Sequence, residues 1–167
     1  MLERSGFISY ANCGLPYYIG GVIQDQEELT LQTPQGFWDR FRIDVRVRHE
    51  ATAIHREEKT VTVKNLETGE VTTESYDKLI LAPGARPTRP PIPGLDSDRL
   101  FSLRTVEDTL AIRTFVEREK PRTAVLAGGG FISLELAENL AEMGVQVTIV
   151  QRIPQVMHNL DYDMATF

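Results

Sequence analysis

The alternation of apolar and polar residues is clearest in the last third of the chain. Thr123–Ala127 and Val145–Val150 are short, β-branched-rich runs that predict strands. Between them Leu136, Leu140 and Met143 form one apolar stripe, with Ala137 and Ala141 beside it, which predicts a helix over Phe131–Met143. Gly128-Gly129-Gly130 is a tight turn into that helix and Gly144 its C-cap, so the segment is a βαβ unit. Upstream, Thr105 offers an N-cap with Asp108 three residues on, and the helix it opens runs to about Glu119, before Pro121.

The first half carries other periods. Leu2-Glu3 reads as the end of a strand, and Pro34–Phe41 as a helix capped by Thr33. Ile43–Val47 alternates at period two and predicts a strand. Ala51–His55, Thr60–Lys64 and Val71–Tyr76 predict a three-stranded antiparallel meander with Val61 and Val63 on its buried face. Gly69 sits in its second turn, where a positive φ is wanted. Lys78–Ala82 is a continuous apolar run, the pattern of a strand covered on both faces. Four prolines between Pro87 and Pro93 then mark an extended linker and the main change in composition.

Composition narrows the class. With 167 residues and 41% hydrophobic content the chain can bury a core, as one domain or pieces of two. A net charge of -6 disfavours nonspecific binding to nucleic acid or anionic lipid. No apolar run approaches the roughly 20 residues of a membrane helix, and Met1-Leu2-Glu3-Arg4 lacks a signal-peptide core. The single cysteine fits a reducing cytosol, so a cytoplasmic α/β protein without metal ligands is expected.

Cys13 is that cysteine, within Ser9-Tyr10-Ala11-Asn12-Cys13-Gly14-Leu15-Pro16-Tyr17-Tyr18-Ile19-Gly20-Gly21. A solitary thiol that does chemistry must cycle through a mixed disulfide or an oxygenated sulfur. Ser9, one helical turn away if the segment winds up, and Asn12 can both hydrogen-bond a thiolate or an incoming thiol. A short helix after Gly14 would lower the thiol pKa. The alternative is a buried structural cysteine.

Gly128-x-Gly130-x-x-Ser133 lies between strand and helix, where a dinucleotide fingerprint needs glycine for the turn, glycine for the pyrophosphate and a small residue for close packing. It could also be a turn that only lets helix pack on strand. About 20 residues on stand Gln151 and Arg152, where NAD-binding folds place an acid, which tilts the expectation toward a 2′-phosphate and NADPH. Glu135 is either a first-turn acid favoured by the helix dipole or a group beside the nicotinamide.

Ser9–Gly21, Leu79–Ala85 and Gly128–Glu135, in this order, resemble the pyridine nucleotide–disulfide oxidoreductases. The form Ser-x-Ala-Asn-Cys-Gly-Leu-Pro-Tyr-Tyr points to the coenzyme A-disulfide reductase branch, with related NADH oxidases, peroxidases and persulfide reductases close by. The resemblance covers essentially all 167 residues. It implies an FAD enzyme in which NAD(P)H reduces the flavin and the flavin reduces a sulfur centre. Cys13 would be the redox nucleophile that forms a mixed disulfide with coenzyme A, with Ser9 and Asn12 contacting that substrate. FAD contacts would come from Glu3, at the ribose, from Cys13, from Ala82, Pro83, Gly84 and Ala85, and from Arg104. Gly128, Gly130, Phe131, Ile132, Ser133, Glu135, Gln151 and Arg152 would face NAD(P)H, with Phe131 shielding the flavin.

The resemblance also predicts what lies outside the match. A Gly-rich FAD phosphate loop would precede Glu3, and the remaining NAD(P) domain, a second FAD segment and a dimerisation domain would follow Phe167. A fragment of a homodimeric parent is therefore expected. A lysine that contacts coenzyme A in some relatives is Phe41 here, flanked by Arg40 and Arg42, which could reach a phosphate. The expected architecture is a partial, three-layer FAD/NAD(P)-binding Rossmann-like fold with a β-meander. Residues 1–104 would belong to the FAD domain and 105–167 would open the NAD(P) domain. An oxidase or peroxidase working through a Cys13 sulfenic acid, or an inactive fragment, are the alternatives.

Overall fold

A computed structural model describes residues 1–166. The chain packs as two units: Met1–Tyr10 with Thr30–Arg86, and Ala11–Leu29 with Pro87–Phe167.

In the first unit, β1 (Ser9–Tyr10) pairs antiparallel with β2 (Thr30–Gln32). Helix α2 (Pro34–Phe41) keeps its expected bounds, because the Thr33 hydroxyl accepts the Gly36 N–H at 3.1 Å and Pro34 is preset for a first helical position. Arg42 ends it in a left-handed conformation, φ 58°. The meander is β3 (His49–His55), β4 (Thr60–Asn65) and β5 (Val71–Ser75), antiparallel in that order. Val61 and Val63 face inward as the alternation requires, Val63 with no exposed surface. The register slips between Ala51 and Ala53, so Thr52 has no opposite residue in the ladder and its hydroxyl donates to the Thr62 carbonyl instead. Asn65 holds the second turn by accepting the N–H groups of Glu67 and Thr68, and Gly69 takes φ +78°.

Two expected strands are corrected. Ile43–Val47 contributes only a single parallel bridge, Leu2 to Arg46, although Val45 is buried. Lys78–Ala82 forms no strand, and Ile80 is 91% exposed. An apolar run is stable as a central strand only where neighbouring strands take its N–H and C=O groups and other layers cover its faces. The described residues place no strand beside it.

In the second unit, Asn12–Gly14 forms a 3-10 turn that leads into α1 (Leu15–Ile19). Helix α3 (Val106–Glu119) opens with the expected capping box: Thr105 Oγ1 accepts the Asp108 N–H, and Asp108 Oδ2 accepts the N–H groups of Thr105 and Arg104. Strand β6 (Thr123–Ala127), helix α4 (Phe131–Glu142) and strand β7 (Gln146–Val150) form the predicted parallel βαβ unit. A short helix, α5 (Tyr162–Ala165), follows. The core joins Ile19 of α1, Ile112 and Val116 of α3, Leu136 and Leu140 of α4, and Val145. Ala124, Leu126 and Val147 pack beneath it, while Val125 and Val150 on the other sheet face stay exposed.

Helix α4 departs from its pattern in two respects. Met143 is exposed and forms the cap, with Gly144 one residue beyond, while the polar Asn139, outside the expected stripe, is 2% exposed. No helix among the described residues is long and apolar enough to cross a membrane.

Candidate functional site

The cysteine sits at the tip of a turn whose base is packed hard. The Gly14 N–H donates to the Ala11 carbonyl and the Ala11 N–H to the Leu29 carbonyl, both at 2.9 Å. A Cβ on Gly14 would lie 3.1 Å from Ile23 Cδ1 and 3.2 Å from Leu29 Cδ2, so a larger residue beneath the thiol-bearing residue would push those two side chains aside. Leu15, Ile19 and Leu29 are buried around that base. Cys13 itself is free and exposed, which rules out the buried structural cysteine. Beside it, Asn12 Oδ1 accepts from Arg104 Nη1 at 3.2 Å, so two residues expected to touch different ligands meet each other.

The helical turn from Ser9 to Cys13 is not formed. Ser9 belongs to β1, opposite Gln32, and only Asn12–Gly14 winds up. Pairing of Ser9 and Tyr10 with β2 holds those two residues extended, so winding begins only at Asn12 and continues through Gly14 into α1. In the same unit as Ser9, Arg40 lies over the Phe41 ring at 5.1 Å and Arg42 over the Trp38 ring at 5.9 Å, both guanidinium groups open to solvent.

The residues expected at FAD supply single contacts. Glu3 Oε1 already accepts the Ser5 N–H at 2.6 Å. Ala82, Pro83, Gly84 and Ala85 are exposed and lie in no regular element. Arg104 is tied to Asn12. Glu3 and Ala82–Ala85 belong to the first unit, Cys13 and Arg104 to the second.

The nucleotide turn fits its ligand better. Gly128 has φ +109°, a conformation that residues with side chains rarely adopt, and a Cβ on Gly130 would meet nothing within 4 Å. Gly130 caps α4 with no side-chain hydrogen bond, which leaves the helix's first N–H groups open to an anion. Phe131 and Ile132 stand exposed on that first turn, and Ser133 is half-buried behind them. Glu135 falls beyond the first turn, so the helix-dipole role is corrected; its backbone carbonyl accepts the Asn139 amide at 2.8 Å.

Sequence patterning missed how the chain closes over this turn. The Met157 N–H donates to the Gly129 carbonyl at 2.7 Å, and a Cβ on Gly129 would lie 3.1 Å from Val156 Cγ1. Gln151 Nε2 donates to the Gln155 carbonyl and its Oε1 accepts the Arg152 N–H, so Gln151 is engaged while Arg152 projects into solvent. Val156 and Met157 carry no periodic signal that would have placed them there. Among the described residues no cluster of His, Cys, Asp and Glu could hold a metal.

A parallel βαβ unit whose helix opens at an uncapped glycine turn, in a chain that also displays one free, exposed thiol, defines a mixed α/β protein of the Rossmann-like class. The pyridine nucleotide-disulphide oxidoreductase family model matches residues 1–167. The coenzyme A disulfide reductase of Staphylococcus haemolyticus is 42% identical over 164 residues, 98% of this chain and 37% of that protein. The crystal structure of reduced Bacillus anthracis CoADR-RHD superimposes with a TM-score of 0.95 at 51% identity, covering 99% of this chain and 30% of that one. A NAD-dependent persulfide reductase from A. fulgidus gives 0.89 at 34% identity, covering 99% and 31%. The chain therefore belongs to the pyridine nucleotide-disulphide oxidoreductase family, and it spans little more than a third of the length of the curated relative it matches.

Proposed function

We propose that this chain carries the thiol and the nucleotide turn of an FAD-dependent, NAD(P)H-driven reductase of small disulfides, of the coenzyme A-disulfide type. The exposed Cys13, on a turn anchored by buried Gly14 and Leu29, is the observation that supports it. Residues 1–104 would belong to the FAD domain and 105–167 to the NAD(P) domain of a homodimeric parent. A lone thiol remains reduced in a reducing compartment such as the cytoplasm.

The step at Cys13 balances without a second cysteine. The Cys13 thiolate attacks one sulfur of coenzyme A disulfide, a new S–S bond forms, and one coenzyme A leaves as thiolate. A persulfide could be engaged at the same sulfur. Ser9 and Asn12 would orient the incoming sulfur, and the exposed Arg40 and Arg42 would meet substrate phosphates. Two electrons then release the second coenzyme A and regenerate the thiolate. FAD, when bound through Glu3, Cys13, Ala82–Ala85 and Arg104 of the whole protein, supplies the relay for those electrons from reduced nicotinamide.

Gly128, Gly130 and the first turn of α4 would take the pyrophosphate, with Phe131, Ile132, Ser133 and Glu135 toward the nicotinamide side. The absence of an acid at Gln151 and the free Arg152 favour NADPH over NADH.

The test uses this chain and its only thiol. Incubated with coenzyme A disulfide, it should gain one coenzyme A at Cys13 by intact mass, at least tenfold faster than it gains hydroxyethanethiol from hydroxyethyl disulfide. Equal rates for the two reagents would overturn the coenzyme A assignment. Faster conversion of Cys13 to a sulfenic acid by hydrogen peroxide would favour an oxidase or peroxidase instead.

A further inference from the structure

Helix α1 is five residues long, too short to persist on its own. Its position, and with it that of the Cys13 turn, is set by what grips it. Two polar side chains outside the proposed chemistry do so.

The first grip is Asn139 of α4. Its Nδ2 donates to the Glu135 carbonyl within the helix, while Oδ1 is buried and has no hydrogen-bond partner. That oxygen occupies the space a side chain at position 20 would need. A Cβ on Gly20 would collide with Oδ1 and lie 2.7 Å from Asn139 Cβ and 2.8 Å from Cγ. Gly20 has φ -72° and ψ -9°, open to any residue, so glycine stands there for close approach alone. A buried, unsatisfied amide oxygen is costly, and it is kept here where α1 meets α4.

The second grip is Arg113 of α3. Its Nη1 donates to the carbonyls of Tyr18, at 3.1 Å, and Ile23, at 3.4 Å, across the C-terminal end of α1. Its guanidinium lies 4.1 Å over the Tyr18 ring, and Glu117 holds Nε at 2.8 Å. The planar fork fits this double role of capping and stacking, which a lysine would not reproduce.

We propose that Asn139 and Arg113 are positioning residues for the Cys13 thiol: they clamp α1 between α3 and α4, so that the cysteine turn holds a fixed place relative to the Gly128–Gly130 turn that opens α4. This deepens the reading of Cys13 as the redox thiol and rests on it. Neither side chain touches the reacting sulfur. Their work is to keep a short, intrinsically unstable helix in one place.

The experiment measures amide hydrogen exchange, Cys13 alkylation by a neutral reagent and melting temperature on the 167-residue chain. Gly20→Ala should speed exchange over residues 14–23 at least tenfold and change the alkylation rate at least threefold, while exchange in β6 and β7 stays within twofold. Moving the vacant position to the other helix, in Gly20→Ala/Asn139→Gly, should return exchange and alkylation toward the original values even though its melting temperature falls. Arg113→Ala should loosen the same segment, and Arg113→Lys should not rescue it. Unchanged exchange at residues 14–23 in folded Gly20→Ala, or an equal rise in β6 and β7, would overturn the clamp. The coenzyme A adduct is scored separately, so loss of substrate preference in the unmodified chain would sink the proposed function and leave the exchange result standing.

Discussion

Adding one methyl group at Gly130 separates the conformational needs of the nucleotide turn from its ligand needs. Gly130 adopts φ -89° and ψ 179°, and a Cβ there meets nothing within 4 Å. Alanine should gain about 0.4–1 kcal/mol by restricting the unfolded chain. It should lose a similar ~0.5–1 kcal/mol because alanine is a poorer N-cap than glycine. The two nearly cancel, so Gly130→Ala should melt within about 2 °C of the unmodified chain. Gly128 has the same chemistry and the opposite expectation. Its φ of +109° is one that residues with side chains rarely adopt, and Gly128→Ala should cost about 1–3 kcal/mol, a drop of several degrees. With NADP+ in a calorimetric titration the Gly130 methyl stands where the pyrophosphate must approach backbone, and affinity should fall at least tenfold, or about 1.4 kcal/mol. Gly130→Ala that stays folded and binds within twofold of the original would refute the fingerprint reading. Melting as low as Gly128→Ala would refute the conformational argument.

Three further outcomes follow from other contacts. Arg152→Ala should cut the preference for NADPH over NADH by about tenfold, since it removes the exposed guanidinium at the end of β7; an unchanged preference would leave Arg152 as a solvated surface residue. The Glu74 carboxyl is held below its ordinary value of 4.5, first by the hydrogen bond from Arg46 at 2.7 Å and then by that residue's charge. The lowered folded value means this contribution is present above pH 4.5 and disappears as pH falls through the folded value, so the melting temperatures of the original chain and Glu74→Gln should differ most at neutral pH and converge in acid; a gap that persisted in acid would refute it. Thr105→Ala removes the hydroxyl that accepts the Asp108 N–H and should cost about 1 kcal/mol, or roughly 2–4 °C in melting temperature; no shift would show the box to be redundant.

Much of this protein was determined by local sequence. Thr33 and Pro34 fix the start of α2, and Thr105 with Asp108 fixes that of α3, because capping is decided within one turn of chain. The βαβ unit, the inward Val61 and Val63 and the Gly69 turn follow from period and from glycine's conformational range, and the residues flanking Cys13 already named the family.

Tertiary structure decided whatever depends on a partner distant in sequence. Lys78–Ala82 has the composition of a central strand but needs neighbouring strands to become one, and Ile80 lies open to solvent instead. Asn139, polar and unremarkable in the sequence, is buried because Gly20, more than a hundred residues earlier, leaves room for it. Arg104 meets Asn12 and Arg113 meets Tyr18 across similar gaps in the chain. Periodicity records which face of an element seeks cover, while the identity of the covering group, and hence the placement of the Cys13 turn, is set only when the chain packs.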